Sequence, residues 1–279
     1  MAITINTNIA SMNAQRNLGS TQRSLSGNLG RLSTGLRINT AADDAAGLAI
    51  SEKLRAQIRS LGQAERNAND GVSLLQTAEG SMNEISGIMA RMRELAVQAA
   101  NGTLGDTERG FLNDEFAALS DEIDRIANVT EFNGTTLLDG SASGLTFQVG
   151  IGATSSDTLS VDIADMHASE LGGASSSISS LDISSVSGAQ TALGAIDAAI
   201  SDISSSRASL GAVQNRLNVT IANLGSAREN LAAANSRIRD VDVAEETANM
   251  TRNNILMQAG VAVLAQANQM PSLALSLLS

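Results

Sequence analysis

Apolar residues recur at intervals of three, four and seven through most of both halves of the chain, and this spacing constrains the fold more than any other feature. In the first arm Leu18, Leu25, Leu29, Leu32 and Leu36 step by 7, 4, 3 and 4. That is the a/d pattern of a helix that lays one narrow seam against a partner. A break follows at Asn39-Thr40-Ala41-Ala42-Asp43-Asp44. Leu54, Ile58, Leu61, Ala68, Val72, Leu75, Met82, Ile85, Met89, Met92, Ala96 and Ala99 then continue a helical stripe. A continuous helix from Leu54 to Ala99 would be roughly 70 Å long at about 1.5 Å per residue, ended by Asn101-Gly102. The second half repeats the pattern through Leu193, Ile196, Ile200, Ile203, Leu210, Val213, Leu217, Ile221, Leu224, Leu231, Ala234, Ile238 and Val241. Stripes this long and narrow cannot bury themselves and need partner helices.

Composition points the same way. Hydrophobic residues make up 43% of the 279 positions, yet there are four Phe, no Trp and no Tyr. The large rings that fill a thick globular core are nearly absent, whereas small and aliphatic side chains suit helices packed side by side. Pro271 is the single proline, so almost nothing forbids helix. The expected fold is mainly α, with long antiparallel helices in a coiled-coil bundle and a small β-hairpin region at the tip.

The middle of the chain supplies that tip. A shorter helix is expected from Thr107 to about Val129, with Asp106 as N-cap and acids near its start. Asn133-Gly134 and Asp139-Gly140 mark turns. The period then changes to two: Leu145, Phe147, Val149 and Ile151 alternate with polar or small residues, as do Leu159, Val161 and Ile163. Joined by Gly152 to Asp157, these runs predict a hairpin. Residues 168–190, rich in Ser, Gly and Ala, predict surface loop.

Charge is distributed unevenly. The net charge is −11, but residues 1–40 carry Arg16, Arg23, Arg31 and Arg37 and no acid, while residues 101–206 carry sixteen acids against Arg109 and Arg125. Four arginines without interleaved aromatics on an acidic chain make a poor phosphate footprint, so no nucleic-acid partner is expected. There is no Cys, hence no disulfide or thiolate chemistry. Residues 1–10 lack the basic and apolar regions of a cleavable signal peptide. The most apolar stretch, Ile255 to Leu278, is interrupted by Gln258, Gln266, Asn268, Gln269 and Pro271, so no membrane insertion is expected. Taken alone, these rules predict a cytosolic protein.

No catalytic constellation emerges. His167 is the only histidine and has no second ligand at metal spacing. A His-Glu-x-x-His pattern is absent, Gly150-Ile-Gly152 lacks the third glycine and following helix of a nucleotide loop, and Asp240-Val-Asp242 fails the calcium-loop pattern because position 251 is Thr. Asp121-Glu122 and Glu245-Glu246 read as solvated or interface faces. The sequence therefore predicts no enzyme, cofactor or metal. Ser175 to Ser187 offers hydroxyls for O-linked sugars but reads as a plain polar loop.

Linked motifs then identify a family. Residues Leu36 to Arg55, with Arg93-Glu-Leu-Ala-Val-Gln98 and Glu131-Phe-Asn-Gly134, resemble the N-terminal signature of bacterial flagellins. Leu210 to Leu217, Ser236 to Asp242, Asn254 to Ala259 and Ala265 to Gln269 resemble the C-terminal one. The resemblance covers residues 1–140 and about 190–279, leaving 141–190 as the segment that varies. It implies a short form without large outer domains. It further implies an inner terminal coiled-coil domain of residues 1–44 and 238–279, and an outer-tube helical domain of 45–237 whose variable β/loop segment is 141–190.

The implied function is a structural subunit that polymerises into the filament for swimming motility; the related alternative is the hook–filament junction protein. The resemblance also implies export through the flagellar secretion channel by uncleaved N-terminal signals, which replaces the cytosolic expectation with an extracellular one. The partners it implies are other copies of the chain, the export apparatus, an export chaperone, and the hook-associated and cap proteins. For some members a further partner is the vertebrate Toll-like flagellin receptor. The residues matching that receptor's contact set are Arg91, Leu95 and Glu115; spacing i, i+4 puts Arg91 and Leu95 on one helix face, neighbouring the Ile85/Met89/Met92/Ala96 stripe. The expected assembly seam is Leu25, Leu29, Leu32, Leu36, Ile255 and Leu264.

The two arms total about 86 residues. Ordering them costs on the order of 100 kcal/mol of backbone entropy, whereas each buried Leu or Ile returns only about 1.5–3 kcal/mol. One two-helix seam cannot offset that cost, so neighbouring subunits are expected to supply the difference.

Overall fold

A computed structural model describes residues 7–173 and 177–276; Ser175 and Ser176 of the candidate sugar-bearing stretch lie outside them. The elements run α1 (Ile9–Thr34), α2 (Ala45–Ala99), α3 (Asp106–Val129), β1 (Glu131–Phe132), β2 (Thr135–Thr136), β3 (Leu145–Gln148), β4 (Thr158–Val161), α4 (Val186–Arg239) and α5 (Val243–Ser276), with short 3-10 turns at Ser155–Asp157 and Ile178–Ser180. The chain is mainly α with small antiparallel sheets, as the periodicity implies. It divides into two compact units, Met1–Ile58 with Glu229–Ser279, and Arg59–Arg228.

In the first unit α1 and α5 pair antiparallel. The Asn8 amide donates to the Ala267 carbonyl at 2.7 Å and the Ser11 hydroxyl to Asn268 Oδ1 at 2.8 Å, while at the other end the Arg31 guanidinium reaches Glu246 at 2.8 Å. Asn8 also caps α1, accepting from the Ser11 N–H at 3.0 Å. Gly35 ends α1 in the left-handed conformation, φ 72°, its N–H bonded to the Arg31 carbonyl. The chain then pairs back on the segment before α5: the Arg37 N–H donates to the Arg239 carbonyl at 2.7 Å and the Val241 N–H to the Gly35 carbonyl at 3.1 Å.

The break read at residues 39–44 is a loop. Thr40 and Asn39 N–H groups and the Thr40 hydroxyl converge on the Asp43 carboxylate and hold its pKa below the usual value. Helix resumes at Ala45, earlier than the apolar stripe indicates, because Asp44 accepts from the Gly47 N–H at 2.8 Å and stabilises the first turn. A side chain at Gly47 would collide with Asp44 and with buried Ile38.

The second unit holds a continuous core. Met82, Ile85, Met89, Met92, Ala96 and Ala99 on α2 meet Phe116 and Ile123 on α3 and Ala192, Ile196, Ile203 and Leu210 on α4. α3 begins at Asp106 with Gly105 as its cap and no side-chain capping bond; Asp106 is thus the first helical residue and pairs instead with Arg109 at 3.3 Å. Arg109 is 7% exposed. Its guanidinium donates to the Ala99 carbonyl at 3.0 Å and the Asn101 carbonyl at 3.1 Å. These bonds satisfy acceptors at the end of α2 and place a cation at the negative end of its dipole.

Asn133 and Gly134, φ 52° and 79°, form the two-residue turn between β1 and β2, a pairing that favours Asn-Gly because both residues need positive φ. The larger hairpin pairs Leu145 with Val161 and Phe147 with Leu159, so the alternating apolar set shares one face. Residues 168–190 differ from the expected surface loop. Ala168, Leu171, Ile178 and Ile183 are buried, because α3 needs an apolar cover on its remaining side. Asp124 accepts from the Ala168 N–H at 2.8 Å and Asn113 from the Ile183 N–H at 2.9 Å, anchoring that cover to α3.

Candidate assembly interface

The terminal helices bury little of their own apolar surface. Leu25, Leu32, Leu36 and Leu264 are half-buried, whereas Leu29 is 58% and Ile255 60% exposed. The six seam residues are therefore not closed together within one chain. Ile9, Met12, Leu256, Val261, Val263 and Met270 are exposed on the same two helices. What the α1/α5 contact fully buries is one small apolar side chain, Ala267, beside the polar Ser11, Asn28 and Glu246. Of the acid pairs read as solvated or interface faces, Glu246 is an interface residue bound to Arg31 and Glu122 is paired with Arg125 at 2.6 Å, while Asp121 and Glu245 are exposed.

Helical ridges force polar groups to find partners once they are removed from water, and most here do. Asp242 accepts from the Ala244 and Glu245 N–H groups at 2.9 and 3.1 Å, capping α5; this is a structural role for the Asp240-Val-Asp242 segment. Arg239 bonds Glu52 at 2.5 Å and lowers the Glu52 pKa, chiefly through that hydrogen bond.

On the second unit Arg91 and Glu115 come together. Arg91 donates from Nε and Nη2 to one Glu115 oxygen at 3.0 and 2.8 Å, and from Nη1 to Glu94 at 2.9 Å. The Glu115 and Glu94 hydrogen bonds raise the Arg91 pKa. Both partners are about half exposed, Arg91 at 50% and Glu115 at 45% of their side chains. Leu95 differs: it is 1% exposed and belongs to the core. The spacing places it on the Arg91 side of α2, but α3 lies over that side and widens the buried stripe to include it. The sequence pattern missed Arg109 and Asn28 altogether, since no periodicity distinguishes a buried arginine or asparagine from a solvated one.

His167 Nδ1 lies 2.6 Å from Asp165 Oδ1, and no group of three or more His, Cys, Asp or Glu suited to a metal occurs among the described residues. No helix among them is long and apolar enough to cross a membrane.

Residues 5–143 match the family model of the bacterial flagellin N-terminal helical region, and residues 193–278 that of the bacterial flagellin C-terminal helical region. The chain is similar to a flagellin of Halalkalibacterium halodurans, 50% identical over 274 residues that span 98% of this chain and 99% of the relative. A flagellin of Bacillus subtilis is 48% identical over 303 residues, again spanning 98% and 99%. The crystal structure of Bacillus cereus flagellin is similar with a TM-score of 0.50 at 35% identity, covering 61% of this chain and 94% of that one. Two family models in the correct order, whole-length relatives and a helical fold with apolar faces left open agree: the chain belongs to the bacterial flagellins, the subunits of the flagellar filament.

Proposed function

We propose that this flagellin polymerises through the outward faces of α1 and α5, with residues 1–44 and 238–279 as an inner domain and 45–237 as the outer-tube domain. The observation that carries the reading is the exposure of Leu29 and Ile255 on helices whose mutual contact fully buries no large apolar side chain among the described residues. Leu25, Leu32, Leu36 and Leu264 lie beside them and complete the seam between copies. The role is structural and non-catalytic. The subunit reaches the extracellular filament by export through the flagellar secretion apparatus, attended by a chaperone, and assembles beneath cap proteins and beyond hook-associated ones. Arms with little internal core suit passage through a narrow channel and delay assembly until neighbours are present.

Limited proteolysis tests the reading. In dilute subunit the arms should be cut first, leaving a fragment near residues 45–237 that stays monomeric where the full chain polymerises. Protection of both arms in the free subunit, or filaments of the trimmed fragment, refutes it. In filaments the same arms should resist the protease.

Recognition by the vertebrate Toll-like flagellin receptor is part of the proposal. Arg91 and Glu115 supply an exposed ion pair on adjoining helices, and Leu95 supports α2 and α3 from beneath. A subunit carrying Arg91→Ala and Glu115→Ala should lose most reporter-cell signalling with its folding unchanged, and intact filament should signal less than subunit if the surface is covered by packing. Undiminished potency of the double variant refutes the contact. Leu95→Ala, which opens a cavity of its own, is measured separately.

A further inference from the structure

The α1/α5 contact leaves a groove of about 490 Å³ bordered by Arg23, Asn28, Arg31, Asn249, Arg252 and Asn253. Its chemistry is one-sided. Glu246 is bound to Arg31, so its charge is already matched. Arg23 donates only to its own helix, from Nε to the Gly19 carbonyl at 3.3 Å, and Arg252 only to Asn249 at 3.4 Å; neither forms an ion pair among the described residues.

Asn28 is the informative member. It is 3% exposed, and its Oδ1 accepts from Arg31 Nη2 at 3.0 Å. That bond fixes the orientation of the amide and leaves Nδ2, a buried donor with no partner among the described residues. A buried donor left unpaired is costly, and native folds rarely keep one without a use for it. Two guanidinium groups without an acidic partner among the described residues border one opening that Asn28 also lines, which makes a site for an anion, and the planar forks of arginine match a carboxylate well.

The chain itself is rich in the complementary group. α1 carries Arg16, Arg23 and Arg31 with no acid, whereas Asp240, Asp242 and Glu245 of the same terminal unit are exposed. We propose that the groove receives a carboxylate of a second copy of this chain, so that pairing between subunits is selected by charge as well as by apolar contact. This rests on the filament reading above.

The test is the critical concentration for seeded polymerisation of full-length subunit at low salt. Arg23→Glu with Arg252→Glu should raise it about tenfold or more, because reversal repels the incoming carboxylate. Arg23→Lys with Arg252→Lys keeps the charge and should stay within about threefold of wild type. Contacts along a polymer are head-to-tail, so the reversed subunit retains its own carboxylate and should slow wild-type growth when mixed in.

Wild-type behaviour of the Glu pair, or equal impairment of the Glu and Lys pairs, overturns the proposal. If circular dichroism shows that the Glu pair has lost helix, Arg23→Gln with Arg252→Gln replaces it, and an unchanged critical concentration again overturns the proposal. Inorganic phosphate binding that depends on Arg23 and Arg252, with assembly of the Gln pair unaffected, makes the groove a small-anion site and likewise overturns it. Failure of the wild-type chain to polymerise would instead refute the filament reading.

Discussion

The two compact units of this flagellin use the same heptad-like spacing to opposite ends. Between Arg59 and Arg228 the stripe closes on itself, and Leu75, Met82, Ile85, Met89, Met92, Ile203, Leu210 and Leu217 have almost no exposure. In the other unit, among the described residues, only Ile38 and Ala267 of the apolar set are buried, and ten of the fifteen exposed large apolar side chains lie there. Spacing therefore shows that a helix needs a partner, not whether that partner is in the same chain. The number of helices available decides it. α3 and the hairpins give the second unit enough surface to surround α2 and α4, whereas α1 and α5 have chiefly each other.

The largest expected effect attacks the open side of this contrast. Leu29→Asp should abolish filament formation while leaving the urea midpoint of the second unit unchanged, because the carboxylate is solvated in the free subunit and loses its water only in the assembly. A Leu29→Asp subunit that forms normal filaments would show that this face is not a subunit contact. The closed side is probed by Phe116→Ala, which removes a ring 1% exposed. A loss of about 3–5 kcal/mol is expected in urea unfolding. A loss below about 1 kcal/mol would mean that the core can collapse around the gap and that the contrast is weaker than burial indicates.

The smallest effect is a local one. The Ser141 hydroxyl, then the Thr136 hydroxyl and the Ser141 N–H, hold the Asp139 pKa at about 2, below its ordinary 3.8. A lowered carboxylate pKa contributes stability above the ordinary value, and that contribution fades as pH falls through the folded one. Asp139→Asn should therefore destabilise the second unit by less than about 1 kcal/mol near neutrality. The gap from wild type should narrow as pH drops from about 4 to about 2. A gap that is independent of pH would assign the effect to lost geometry and not to charge.

Much of the fold is legible in the sequence because it is periodic. The step of seven through Ala68, Leu75, Met82, Met89 and Ala96 announces α2, and the alternation about Phe147 announces the hairpin. The β1–β2 pair is less readable, since two residues per strand carry no period, although Asn133-Gly134 marks its turn. The cover over α3 escapes because Ala168, Leu171, Ile178 and Ile183 are spread through a Ser-rich stretch with no repeat. Of the candidate sites, the ion pairing of Arg91 with Glu115 depends on how α3 returns along α2, which no local pattern specifies. The burial of Leu95 follows from the same return. Asn28 is hidden for a different reason: its meaning lies in one unpaired hydrogen-bond donor, visible only once its neighbours are in place.

Gly71 illustrates how such placement limits redesign. A Cβ there would sit 3.1 Å from the Phe147 ring, so the glycine is the socket in which the β3–β4 hairpin rests on α2. The Asn67 amide, donating to the Gln148 carbonyl at 3.0 Å, fastens the same joint. An engineer seeking a more heat-resistant subunit would begin by replacing helical glycines with alanine, for a gain of about 1 kcal/mol each. Gly80, Gly87 and Gly194 meet nothing within 4 Å in the subunit and accept that change at this level. At Gly71 the same change would stiffen the helix while crowding the Phe147 ring under the hairpin, so a propensity table read without the joint would overstate its gain.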